Sequence, residues 1–126
     1  MACRDRERGA AAVEFALVIP LLLALIVGIL EVSHLYNSQI LLTNAAREAA
    51  RTLAISPHSQ SAAVSAANSA YPAGIDPAGS SIPASCTEGS PVNVTVQANV
   101  KFLTGSWAGF TGGLTLQGKA SMLCEK

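Results

Sequence analysis

Charge is scarce in this chain, with 8 basic and 8 acidic residues among 126 and a formal net charge of zero. No basic stripe with interleaved aromatics occurs, which argues against nucleic-acid binding. Histidine is nearly absent, being confined to His34 and His58. Glu31 and His34 stand at i and i+3, a spacing used on the helices of carboxylate-bundle metal sites, but one such pair lacks the further ligands a metal requires. A polar collar suits the pair better. Serine is plentiful, yet no Gly-x-Ser-x-Gly elbow and no set of Ser, His and acid accompanies it. The expectation is a protein that is not an enzyme and needs neither metal nor cofactor. A chain of this length leaves room for one small domain beside any membrane segment, which excludes large enzymes. The triplet Asn93, Val94, Thr95 matches a glycosylation sequon but falls within a strand pattern and is discounted.

What the chain does have is a long apolar run. Residues 15–30 carry no charged side chain and span about 24 Å as a helix. Adding residues 10–13 gives about 31 Å, which matches a hydrocarbon core of roughly 30 Å and draws Glu14 into its edge. A charge at a bilayer centre costs roughly 2.5 to 3.5 kcal/mol and less toward the ends, so a lone carboxylate asks for a functional reason. Two readings stand: Glu14 meets a partner among associated helices, or it snorkels to the interface. Arg4, Arg6 and Arg8 precede the run, whereas the next basic residues are Arg47 and Arg51. That bias places the N-terminus in the cytoplasm and the rest of the chain outside it. A cleavable secretory signal has a core of about 7 to 15 residues and a small-x-small site, and Gly28, Ile29, Leu30 and Glu31 form a poor one. Permanent anchoring is the favoured reading.

Between residues 31 and 56 there is neither proline nor glycine, so one helix is expected to continue to about residue 54. Leu35, Leu42, Ala45, Ala46, Ala49 and Leu53 fall on one face, with Thr43, Asn44, Arg47, Glu48 and Arg51 opposite. The small side chains of that stripe serve equally for close packing of parallel helices or for the core of the chain's own domain. Unbroken over residues 10–53, the helix would be about 66 Å long, twice the membrane thickness. Pro20 withholds a donor from the Ala16 carbonyl, which predicts local loosening or a kink. Tyr36 fits an interfacial anchor.

Ser56 and Pro57 read as an N-cap followed by proline at the first helical position, opening a short helix through about Ala70. Residues 71–91 collect Pro72, Gly74, Pro77, Gly79, Pro83, Gly89 and Pro91 and read as an irregular loop. Val92, Val94, Val96, Ala98, Val100 and Phe102 alternate with polar residues, and Leu114, Leu116, Gly118, Ala120 and Met122 repeat the pattern. Two strands over 92–102 and 114–122, paired as an antiparallel hairpin, follow. Their connection is long and partly apolar, and Trp107 and Phe110 in it serve packing or mark a contact surface, packing being favoured. Of the three cysteines, Cys3 falls on the reducing side, while Cys86 and Cys124 fall outside and can bridge a loop worth roughly 3 to 4 kcal/mol, or link two chains. The fold class expected is α+β, a long transmembrane then amphipathic helix with a short helix and an antiparallel hairpin.

One group of residues resembles a known family. The basic leader, Gly9, Glu14, Phe15 and the apolar stretch resemble type IV pilin-like precursors cut by a prepilin peptidase. The sequence from Arg8 and Gly9 through Val13, Glu14, Phe15, Ala16 and Leu17, with Pro20, Leu21 and Leu22, then Gly28, Ile29, Leu30 and Glu31, Leu35 and Tyr36, and Leu42, Thr43, Asn44, Ala45, Ala46, Arg47 and Glu48, looks like the TadE-like domain of the bacterial tight-adherence (Tad or Flp, type IVc) pilus system. The resemblance covers about residues 8–52. It implies a pilin-like fold with a leader over residues 1–9, a transmembrane and amphipathic helix over 10–54, and a small extracytoplasmic domain over 55–126. It implies cleavage between Gly9 and Ala10, with Glu14 and Phe15 serving assembly. The partners implied are a prepilin peptidase, other Tad pilins or pseudopilins, the inner-membrane assembly platform and membrane lipid. The location implied is the bacterial inner membrane, single pass, with incorporation into an extracellular pilus as a further step. Major Flp pilins are very short and commonly carry Tyr after the glutamate, so Phe15 and a sizeable outer domain argue for an accessory subunit. TadG-like proteins carry a large added domain for which this chain has no room. The alternatives are a membrane-anchored envelope binding domain outside any pilus and a small domain secreted by ordinary signal peptidase.

Overall fold

The computed structural model describes residues 2–105, 109 and 111–125, excepting the side chains of residues 2–8. Four elements follow in order: α1 (Ala2–Ile55), α2 (Gln60–Ala70), β1 (Pro91–Lys101) and β2 (Gly113–Leu123). The class is α+β, with the long N-terminal helix, the short helix and the antiparallel pair that the sequence pattern implies. Two compact units divide the chain, Met1–Ser33 and His34–Lys126.

The first unit is helix alone. It begins at Ala2 rather than near residue 10, because Ala2, Glu7 and the three arginines favour a helix and neither proline nor glycine stands ahead of Gly9. Pro20 lies inside the helix without ending it. From Val13 to Leu30 the large apolar side chains except the half-buried Val27 stand exposed, Leu17 and Leu21 at 72%. A helix apolar all round belongs in a bilayer or among other helices.

The second unit owes its core to small residues. Leu42, Ala45, Ala46, Ala49, Ala50 and Leu53 of α1 are fully buried, as are Ala63 and Ala67 of α2. They pack with Val92, Val94, Val96 and Ala98 of β1. The alanine stripe is therefore covered by the chain's own sheet and short helix, while Leu35 is only half-buried. Ser38 joins this face because its hydroxyl donates to the His34 carbonyl at 3.0 Å, which meets its hydrogen-bonding need inside the helix. Thr43 and Thr52 do the same toward Gln39 and Glu48.

β1 and β2 pair with Val96 opposite Gly118 and Val100 opposite Leu114. Every second residue of β1 from Val92 to Val100 is buried, whereas on β2 only Gly118 is. A two-stranded sheet is marginal by itself, so its stability comes from lying on α1. Gly118 sets how closely it lies. A Cβ there would run into the carbonyl of Leu42 and stand 2.7 Å from the Thr43 nitrogen, both unyielding backbone groups. Beside it, the Gln39 side-chain amide donates to the Gln117 carbonyl at 2.7 Å.

Three expectations need correction. The short helix opens at Gln60 with Ser59 as N-cap, not at Ser56 and Pro57. Ser56 N–H still donates to the Thr52 carbonyl at 2.9 Å and Ser59 N–H donates to the Ser56 carbonyl at 3.1 Å, so Pro57 sits at the second position of a turn, where its fixed φ is equally at home. The segment 71–91 is less irregular than its composition suggests. Ser81 and Thr95 exchange backbone bonds at 2.7 and 3.0 Å, and Asp76 N–H donates to the Gln97 carbonyl at 2.7 Å, so this loop covers the outer edge of β1. Finally, the strands run one residue off the expected ends, leaving Phe102 just outside β1. Trp107 and Phe110 lie outside the described residues.

The seat of Gly118 predicts that Gly118→Ala destabilises the folded unit by about 1 to 3 kcal/mol, the cost of overpacking against atoms that cannot move aside. Urea unfolding followed by circular dichroism measures this, and an unchanged midpoint would contradict the packing described.

Candidate processing and assembly segment

Glycine inside a helix costs roughly 0.5 to 1 kcal/mol relative to alanine, so Gly9 calls for an explanation. Packing supplies none, since a Cβ added there meets nothing within 4 Å. The same holds at Gly28, so open space alone does not mark a site. What distinguishes Gly9 is its position between the arginines and the apolar run.

Ala10, Glu14 and Phe15 follow on the same helix, all exposed. Ala10 and Glu14 are four residues apart, which puts them one above the other on one helix face. Among the described residues no hydrogen bond or ion pair engages the Glu14 carboxylate. It stands among Val13, Phe15, Leu17 and Val18, which are 49 to 72% exposed. In water that arrangement is harmless. In hydrocarbon an unpaired carboxylate is costly, so whatever surrounds this helix must include water, a headgroup or a cation within reach of Glu14.

By length and composition one helix among the described residues, over Gly9–Ile55, suffices to cross a membrane. It is compatible with a single-pass anchor. Among the described residues no group of three or more His, Cys, Asp or Glu side chains could hold a metal ion.

Cys86 and Cys124 belong to the second unit, and local hydrogen bonds bring them together. Cys86 N–H donates to the Pro57 carbonyl at 3.1 Å, tying the loop to the turn after α1. Cys124 N–H donates to Ser90, Gly89 N–H donates back to Cys124, and Glu125 N–H donates to Ala54. Gly89 takes φ +73°, a conformation glycine adopts without strain. The sulfurs are bonded, with the Cα atoms 6.2 Å apart. The bridge thus fastens the loop before β1 and the end of β2 to the C-terminal end of α1.

The sequence-derived positions accordingly fall into two groups. Gly9, Ala10, Glu14 and Phe15 share one stretch of α1, and Cys86 and Cys124 form a brace within the second unit. Gly118 and Gln39 went unrecognised. The available signal was a glycine on the inward side of an otherwise apolar alternation, which marks a close backbone approach.

Comparison with known proteins bears on the first group. The model of the family described as TadE-like protein matches residues 9–51, in agreement with the resemblance read from the sequence. No curated protein and no solved structure matches the chain. The matched stretch opens at Gly9, includes Glu14 and the whole apolar run, and closes inside the buried alanine stripe. Residues 52–126, and with them the hairpin and both bridged cysteines, lie outside the match.

Replacing both Cys86 and Cys124 by serine should lower stability by roughly 3 to 4 kcal/mol, because the unfolded chain regains the loop entropy that the bridge removes. Denaturant titration of wild type and double variant tests this, and matching curves would show that the bridge contributes nothing.

Proposed function

We propose that the chain is a pseudopilin or minor pilin that helps assemble a Tad adhesive pilus, a structural role rather than an enzymatic one. The observation that carries this reading is the TadE-like match, which begins at the glycine where a leader would end. In this reading a prepilin peptidase cuts between Gly9 and Ala10 on the cytoplasmic side. The arginines of the leader hold that end in place. Glycine at the last leader position leaves the peptidase room to approach the backbone without a side chain in the way. The second unit faces an oxidising compartment, consistent with its bridged cysteines.

Cleavage changes the chemistry next to Glu14. The Ala10 nitrogen, an amide in the precursor, becomes an ammonium one helical turn from the carboxylate. That ammonium, on the same chain or on a neighbouring subunit, supplies the cation that the apolar segment otherwise lacks, and it appears only after maturation. Phe15 beside it contributes apolar contact to the same helix association. Processing is thereby coupled to assembly, with other Tad pilins and the inner-membrane platform as the partners. The single-pass orientation, N-terminus in the cytoplasm, belongs to the same proposal.

Two outcomes test it. Gly9→Phe should accumulate as precursor in cells containing the cognate peptidase, and normal processing of that variant would sink the cleavage assignment. Glu14→Gln should insert and be cut normally, yet lose about tenfold in co-purification with other pilins, as expected for losing a charge-assisted hydrogen bond. Glu14→Asp should lose less. Unchanged partner capture by the Gln variant at equal protein level would leave Glu14 as a residue that only snorkels.

A further inference from the structure

Where the hairpin end of the second unit lies follows from three contacts. Gln39 reaches the Gln117 carbonyl, Gly118 sits against Leu42 and Thr43, and Glu125 N–H donates to the Ala54 carbonyl at 3.3 Å. Numbers rise together on both elements, so β2 and this half of α1 run in the same direction. From Gln117 to Glu125 a strand advances about 26 Å, and from Gln39 to Ala54 a helix advances about 22 Å, so the two are near parallel. In the other direction Gly113 lies about 13 Å before Gln117, while His34 lies about 7 Å before Gln39. The connected end of the hairpin, where Lys101 pairs with Gly113, is therefore level with His34 or beyond it.

His34 follows the end of the apolar run at residue 30 by four residues, a separation of at most about 14 Å even for a fully extended chain. A headgroup layer is some 5 to 7 Å thick on each side of the hydrocarbon core. Chain connectivity alone thus keeps His34, the start of the second unit, near the bilayer surface once the run spans it, and the hairpin end, level with His34 in the same unit, within reach of that surface. Large apolar side chains stand exposed at that end. Tyr36 is 68% exposed, Leu103 60% and Leu114 45%. Residues 102–118 contain no charged side chain. Lys101, exposed beside them, can extend its ammonium to phosphate while its stem stays with the apolar groups.

We propose that the hairpin end of the second unit, through Tyr36, Leu103 and Leu114 with Lys101 at its rim, docks onto the phospholipid bilayer at the boundary between headgroups and acyl chains. It is a second lipid contact, separate from the spanning helix, and it fixes the unit against the membrane before any pilus forms. The assignment rests on the reading of α1 as a membrane span.

Trp107, the chain's only tryptophan, falls in sequence between Leu103 and Leu114 and serves as reporter. The full-length protein is placed at one copy per phosphatidylethanolamine/phosphatidylglycerol nanodisc, with or without lipid brominated near the headgroup end of its acyl chains. Brominated lipid should quench the emission about twofold, as expected for an aromatic at the interface. Leu103→Asp with Leu114→Asp should abolish the quenching while circular dichroism stays unchanged. Emission indifferent to brominated lipid, whether quenched by aqueous acrylamide or protected from both, overturns the proposal. So does protection that arises only in discs holding two copies, which would assign the surface to a neighbouring subunit. Failure of the protein to enter discs at all would instead remove the membrane span, and this inference with it.

Discussion

The second unit depends on one contact, the backbone of α1 lying directly on the sheet at Gly118. A hairpin of two strands cannot hold itself together, and a helix face of alanines has little apolar surface to offer each partner. Close approach resolves both shortages. With no side chain at Gly118 and methyl groups along the helix, the valines of β1 reach the helix surface and exclude water from Leu42 to Leu53. The Gln39 amide then fixes the register by holding the neighbouring carbonyl.

Other features support that seat from the edges. The loop strand at Ser81 closes the far side of β1, and α2 adds Ala63 and Ala67 to the same core. The disulfide fastens the end opposite the hairpin connection, where β2 meets the last turn of α1. Little of this core is large, since among the described residues the sizeable side chains that are fully buried are Leu42, Leu53, Val94 and Val96. A covalent brace is what a unit with so modest a core requires.

Legibility in the sequence followed the strength of local pattern. The long helix was readable because an uncharged run passed into a stretch without proline or glycine, and the strands because valine alternated with polar residues over eleven positions. The TadE-like segment was readable from its separated motifs and agrees with the family match. What escaped notice depended on partners distant in the chain. Pro57 fits a helix start and a turn equally well, and only the bond between Ser59 and Ser56 decides between them. The pairing of Ser81 with Thr95 leaves no periodicity, since a single bridge has none. The alanine stripe suited two uses, and the sheet that covers it lies some fifty residues further along the chain.

In the proposed function, the lone carboxylate in the apolar helix and the nearby glycine that packing does not explain are both read as marks of maturation. The native N-terminus tests that claim most directly. Intact-mass and N-terminal peptide analysis of protein isolated from its own cells should find a chain beginning at Ala10, with the apolar run retained. A chain still carrying Gly9 and the arginines before it, or one cut beyond the apolar run, would contradict the account.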